Sequence, residues 1–254
     1  VYYQETNIED DDTISNWAAD KLGANLSFGY PISEIERINF GVGAEKVKVY
    51  ASPYSPLEVW ELVAFDQWRY LTEGASTQDE NFLNFPFNLS WTYSTLNRGV
   101  FATRGSSHTV SSEVTVPSSD LEYFKLTYRG QRYFPLSEEW VMRARSDIGY
   151  ADGYGEEEKV PFYEHFYSGG FGSIRGWVDR SLGPRETQSP YDYGDLRAIG
   201  GNLLVEGSLE FIFPMPFVKD NRQFRTLLFL DGGNVFDTRR RDEEGYDIGS
   251  DELR

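Results

Sequence analysis

The chain has 254 residues, of which 39% are hydrophobic and 16% aromatic, with 24 glycines; this suits a large all-β domain and excludes a disordered chain. A formal net charge of −17 argues against nucleic acid as a partner, because nothing here would neutralise phosphates in bulk. With no cysteine at all, disulfides, thiolate metal sites and cysteine nucleophiles are excluded.

Taken in chain order, the dominant signal is period two. Residues 1–8 read as a weakly patterned first strand, and 9–21 as a long acidic link. Leu26, Phe28 and Tyr30 then alternate with Asn25, Ser27 and Gly29. A short link at 31–34 leads to Ile38, Phe40 and Val42, alternating with Asn39, Gly41 and Gly43. The long link 51–81 holds a helix-like piece at 57–71, expected to cover a barrel mouth. In the next strand Phe85, Phe87, Leu89, Trp91 and Tyr93 share one face, and Asn88, Ser90 and Thr92 the other. Beyond a short link at 96–105, Val110, Val114 and Val116 oppose Thr109, Ser111, Glu113 and Thr115. A brief link at 117–121 follows. Phe124, Leu126 and Tyr128 then oppose Lys125, Thr127 and Arg129. Arg132 falls on the apolar face of that strand, which implies a snorkelling end or a bulge.

After the short link 136–139, Trp140, Met142, Ala144 and Ile148 oppose Arg143, Arg145 and Asp147. The longest link, 154–198, separates this strand from one in which Leu203, Val205, Leu209 and Phe211 oppose Leu204, Glu206, Ser208 and Glu210. Beyond 214–223, Thr226, Leu228 and Leu230 oppose Arg225, Phe229 and Asp231, with Leu227 out of pattern. Residues 237–253 form a last long link. The count is about nine strands, most of them long enough to cross a bilayer at a tilt.

A soluble sandwich also alternates, but two features point to a membrane barrel. Tyr30, Trp91, Tyr93, Phe134, Trp140, Phe213 and Phe217 gather at strand ends as an interfacial girdle would. The links also alternate short and long, the asymmetry of outer-membrane barrels. No stretch approaches the ~18 consecutive apolar residues of a membrane helix. The chain opens at Val1 without a signal-peptide pattern, so a leader has been removed or the chain is an excised segment. The acidic loops (10–12, 156–158 and 242–244) are placed by strand parity on one exterior side.

Catalytic readings find no footing. No carboxylate pair is fixed at hydrolase spacing. His108 and His165 are the only histidines; without ligand-spaced partners they read as plain surface or loop residues, not metal ligands. No Gly-x-Ser-x-Gly elbow occurs. No catalytic residue, metal or cofactor is expected.

The longest link contains Pro161-Phe162-Tyr163-Glu164-His165-Phe166-Tyr167-Ser168-Gly169-Gly170, followed by Phe171-Gly172-Ser173-Ile174-Arg175-Gly176-Trp177. A phosphate-cradling loop is the alternative, but no Lys-Ser or Lys-Thr follows and no helix is opened. The run resembles the Val-Arg-Gly-Phe motif of the BamA family, the outer-membrane barrel assembly factors. Leu182-Gly183-Pro184, Gly200-Gly201-Asn202, Ser208-Leu209-Glu210-Phe211 and Asp231-Gly232-Gly233-Asn234-Val235-Phe236-Asp237 are similar to that family too. So are Trp91-Thr92-Tyr93 and Leu96-Asn97-Arg98-Gly99, so the likeness covers nearly the whole chain. Ile174 and Trp177 stand where Val and Phe are usual, and both keep the apolar character.

The resemblance implies an all-β, antiparallel transmembrane β-barrel, partial here, with about nine of sixteen strands. Residues 1–254 would form part of the barrel domain, with the long loop 154–198 folded into the lumen. By the family's pattern the chain starts within about the fifth strand and stops where the fourteenth should start. Periplasmic domains, first and last strands and the gate between them are therefore expected to be absent. Gly169, Gly170, Ile174, Arg175, Gly176 and Trp177 would carry the functional loop motif. Glu210 and Asp231, which alternation independently puts on polar faces, would be the lumenal partners of Arg175.

The implied function is ATP-independent assembly and insertion of β-barrel proteins into the bacterial outer membrane. Its partners would be unfolded outer-membrane proteins, accessory outer-membrane lipoproteins, and outer-membrane lipid with lipopolysaccharide. The alternatives are a related two-partner secretion or translocation transporter, a passive porin, and a secreted all-β carbohydrate-binding protein or hydrolase.

Overall fold

A computed structural model describes residues 2–7, 17–64, 78–155, 159–187, 195–215 and 225–239. Ten antiparallel strands form one sheet: β1 (Tyr2–Asn7), β2 (Trp17–Pro31), β3 (Glu36–Ala51), β4 (Gln78–Asn84), β5 (Pro86–Ser94), β6 (Gly105–Thr115), β7 (Tyr123–Pro135), β8 (Val141–Gly153), β9 (Leu203–Phe213) and β10 (Thr226–Phe236). Among the described residues one α-helix, α1 (Leu57–Ala64), lies between β3 and β4. Each strand pairs with its sequence neighbours, except that β3 pairs with both β4 and β5. In this meander the strand ends at Pro31 and Glu36, Ser94 and Gly105, Pro135 and Val141, and Phe213 and Thr226 share one rim, and the opposite ends the other.

Ten strands replace the nine read from the sequence, and β4 is the addition. It is the continuation of β5, since the register against β3 runs on unchanged from Val42↔Phe87 to Glu45↔Asn84. Only Phe85 interrupts it. There the 116–122 link takes over from β6 as the neighbour: Val116 N donates to Phe85 O (3.0 Å) and Leu121 N to Asn84 Oδ1 (3.1 Å). A strand edge that would otherwise be bare is thereby hydrogen-bonded. β2 also begins earlier than expected, so residues 17–21 are strand and not link. The expected helix extends from Leu57 to Ala64, and its predicted remainder, together with Phe217 and the three acidic loop segments, lies outside the described residues.

The two faces differ as alternation demands. Outward-facing Leu26, Phe28, Phe40, Val42, Leu89, Leu126, Ile148, Val205, Leu209 and Leu228 are exposed. In water such a continuous apolar surface would aggregate; against lipid it is required. The aromatic girdle lies toward the short-link rim, where Trp140 packs against Phe211 and Phe213, and Trp91 stacks on Tyr93. Toward the other rim the outer face of β3 and β4 turns polar with Lys46, Lys48, Asp79 and Asn81, and Lys48 pairs with Asp79 at 3.1 Å. Such a polar outer face suits water and not lipid.

Arg132 sits in unbroken register, opposite Ser106 on β6 and Ala144 on β8. No bulge turns it inward; its guanidinium lies over the Phe134 ring at 4.8 Å, so it snorkels toward the near rim. His165 lies in the loop between β8 and β9, as read from the sequence, whereas His108 is neither a loop nor a plain surface residue. His108 lies within β6 with its ring between those of Tyr93 and Tyr128, and His165 is half-buried with Nδ1 3.1 Å from Ile199 O. Burial holds the His165 pKa below the ordinary histidine value.

The inner face is concave. Lys21 of β2 and Lys125 of β7, four strands apart in the sheet, both reach Glu164; on a flat sheet they would be roughly 19 Å apart. Its upper part is apolar: Val47, Val49, Ala51, Phe82, Tyr123 and Ala151 bury themselves against Val59, Trp60 and Val63 of α1, with Val160, Phe162 and Ile199. The helix thus covers the mouth with its apolar side. Below this plug the lumenal face is charged.

Candidate functional site

The loop between β8 and β9 enters the lumen and is fastened at three levels. At the top, Glu58 of α1 accepts Thr187 N (3.1 Å) and Thr187 Oγ1 (2.7 Å). Next, a short 3-10 turn at Phe162–Glu164 delivers Glu164 between Lys21 and Lys125, the latter at 2.8 Å. Burial opposes charge on Glu164, but the two ammonium groups outweigh it and hold its pKa below the ordinary carboxylate value. The ring of Phe166 then lies on Gly149 of β8, where any side chain would come within 2.7 Å of it. An antiparallel bridge between Phe166 and Gly201 completes this level.

The deepest level is Arg175. Its Nε and Nη2 grip Asp231 of β10 at Oδ2 and Oδ1, both at 2.7 Å. Nη1 pairs with Glu210 Oε1 of β9 at 2.8 Å, Nη2 also donates to Ser208 Oγ at 2.9 Å, and the backbone N donates to Asp231 Oδ2 at 3.0 Å. The guanidinium plane stacks on Phe229 with 3.8 Å to the ring centre. A planar fork is the one side chain that can span two carboxylates and stack at once. The strand register explains the convergence: Phe229 pairs with Glu210 and Asp231 with Ser208, so all four side chains lie on adjacent rungs of the inner face.

The other motif residues have local roles. Gly169, Gly170 and Gly176 have φ of 105°, 96° and 91°, a region that side chains disfavour; a Cβ on Gly169 would also meet Val178 O at 2.5 Å. Ile174 is buried, while Trp177 is exposed. Phe171 at the tip is 91% exposed.

Several members of the site were not named in advance. Arg143 Nη1 donates to the second oxygen of Glu210 at 3.0 Å, and Arg145 donates to the loop carbonyl of Gly172 at 2.9 Å while pairing with Asp147. Ser173 Oγ donates to Glu206 and accepts from Gly169 N. Alternation had put Arg143, Arg145, Glu206 and Ser208 on polar faces, so their inward aim was legible; their pairing required the register. A cavity of about 290 Å³ remains below the loop, lined by Arg129, Gln131, Arg143, Arg145, Asp147 and Gly172. Cations and anions alternate through this network, which suits it to holding a loop. Among the described residues, no group of three or more His, Asp or Glu could hold a metal ion.

The model for the Omp85 superfamily domain matches residues 1–254. Outer membrane protein assembly factor BamA of Neisseria meningitidis is 32% identical over 233 residues, which is 91% of this chain and 28% of that protein. The mouse sorting and assembly machinery component 50 homolog is 27% identical over 221 residues, 81% of this chain and 44% of that protein. Among solved structures, BamA of Haemophilus ducreyi lacking POTRA domains 1–3 superposes with a TM-score of 0.79 at 29% identity, over 93% of this chain and 45% of that one. The chain thus spans less than half the length of each of these relatives.

Proposed function

The chain belongs to the Omp85 superfamily and forms outer-membrane β-barrel wall, and from that premise we propose that it serves in the assembly and insertion of other β-barrel proteins. The work would be done without ATP, cofactor or bond-making chemistry, on unfolded outer-membrane proteins, alongside accessory lipoproteins and in contact with outer-membrane lipid. Residues 1–254 act as one barrel segment, and 154–198 as its lumenal loop.

The observation that carries this reading is the loop locked onto β9 and β10 through Arg175, Glu210 and Asp231. A porin needs an open lumen, whereas here a loop fastened at three levels occupies it. An occluded barrel does not serve diffusion, and its usable feature is its strands. Unpaired strand edges template new strands, and a wall stiffened from inside would hold such an edge in register.

The test uses the full-length natural protein in proteoliposomes, with an unfolded barrel protein as substrate. Insertion should be faster than into empty liposomes, and about tenfold slower with Arg175→Ala. Small-solute flux without any acceleration of insertion would refute the proposal.

A further inference from the structure

Arg132 is the anomaly of the membrane-facing wall. A guanidinium stays charged, and hydrocarbon cannot solvate it, so such a group reaches the interface or finds a partner. It is exposed, and its guanidinium lies over the Phe134 ring. Among the described residues no carboxylate or carbonyl is hydrogen-bonded to it. The inward arginines of β7 and β8 differ: Arg129 and Arg145 pair with Asp147, and Arg143 with Glu210. No anion among the described residues matches Arg132.

The surroundings say which anion. Ser106 lies directly opposite Arg132 on β6, and His108 is one rung nearer the membrane centre, opposite Gly130. His108 Nδ1 is 2.9 Å from Tyr128 Oη, which fixes the ring and leaves Nε2 for another partner. The Tyr128 ring lies over Gly130, where a Cβ would run into its hydroxyl. On the β8 side the neighbours are small, Ala144 and Ser146. Tyr128 and Phe134 therefore flank Arg132 on the outer face of its strand. The level is that of the aromatic girdle on the short-link side, the periplasmic leaflet. Above it, exposed Leu126, Val110 and Ile148 offer an apolar track toward the membrane centre.

We infer that Arg132, with Ser106 opposite it, binds the phosphate of a phospholipid in the periplasmic leaflet, the acyl chains lying along that track. A guanidinium holds phosphate oxygens through two parallel hydrogen bonds, and the depth selects a headgroup over a soluble ion.

Native mass spectrometry of the full-length protein in detergent tests this. The probes are phosphatidylglycerol, diacylglycerol of the same chains, and inorganic phosphate as competitor. Phosphatidylglycerol should bind at least tenfold more tightly than diacylglycerol, and Arg132→Gln should remove about that tenfold. Arg132→Lys should keep part of it, and Lys48→Gln, outward but toward the opposite rim, should keep all of it. Equal binding of the two lipids to the unaltered protein overturns the inference whether or not Arg132→Gln folds. So does an Arg132→Gln protein that binds phosphatidylglycerol normally, or displacement of the lipid by an equal concentration of inorganic phosphate.

Discussion

Replacing Arg175 with alanine isolates the lock that fastens the loop. The guanidinium makes three charge-assisted contacts with two carboxylates, at 2.7, 2.7 and 2.8 Å. Its side chain is 15% exposed, against 9% for Glu210 and 2% for Asp231. Two cations, Arg143 and Arg175, balance two anions, so the substitution leaves one negative charge in excess. Glu210 keeps Arg143, and the deficit falls on Asp231, which retains Ser208 Oγ at 2.7 Å and the backbone N of residue 175. Orphaning a buried charge costs about 3–5 kcal/mol. The remaining donors and lumenal water place this case near the lower end, about 3 kcal/mol, or roughly a hundredfold in loop opening. Hydrogen–deuterium exchange across residues 169–178 in the full-length protein measures that ratio directly. Arg175→Lys should recover part of it, because an ammonium cannot span both acids and stack. Asp231→Asn in the Arg175→Ala background should also recover part, by neutralising the orphan. Exchange that is unchanged by Arg175→Ala would refute the reasoning.

Two further outcomes follow from other parts of the molecule. The folded pKa of Glu164 is lowered, so the stability it contributes is present above its unfolded pKa of about 4.5 and is lost as pH falls through the folded value. Exchange at residues 160–167 should therefore rise below about pH 4.5, and Glu164→Gln should abolish that pH step while raising exchange at neutral pH. Trp60→Ala empties the centre of the plug, where the side chain is buried between α1 and the upper strands. The expected loss is about 3 kcal/mol, read as a lower temperature for the heat-induced gel shift of the barrel, with no change in lipid-facing labelling.

The strands and the Arg175 site were legible for the same reason. Period two fixes which face each residue occupies, so Glu210 and Asp231 had to point inward, and the family motif supplied the cation. Where that signal is weak, reading failed. β4 is Gln-Asp-Glu-Asn-Phe-Leu-Asn, polar on both faces because its outer side meets water and its inner side carries only Phe82 to the plug. It is strand because β3 is long enough to pair with it. The Glu164 clasp was invisible because Lys21 and Lys125 lie 143 and 39 residues from their partner. Nothing local marks either lysine; only the curl of the sheet brings them together. Arg132, by contrast, was conspicuous from alternation alone, and the register resolved its two readings.

The polar outer ends of β3 and β4 mean that one continuous sheet folds in two solvents. Within the lipid, apolar side chains gain nothing by leaving hydrocarbon for hydrocarbon, and order there rests on closing every backbone hydrogen bond. Around α1 the same strands bury Val47, Phe82 and Trp60 away from water, which carries the large heat-capacity change typical of soluble cores. The cap should therefore weaken on cooling and in urea on a different schedule from the wall beneath it. Temperature thus becomes a way of opening the mouth of this barrel while its staves stay paired.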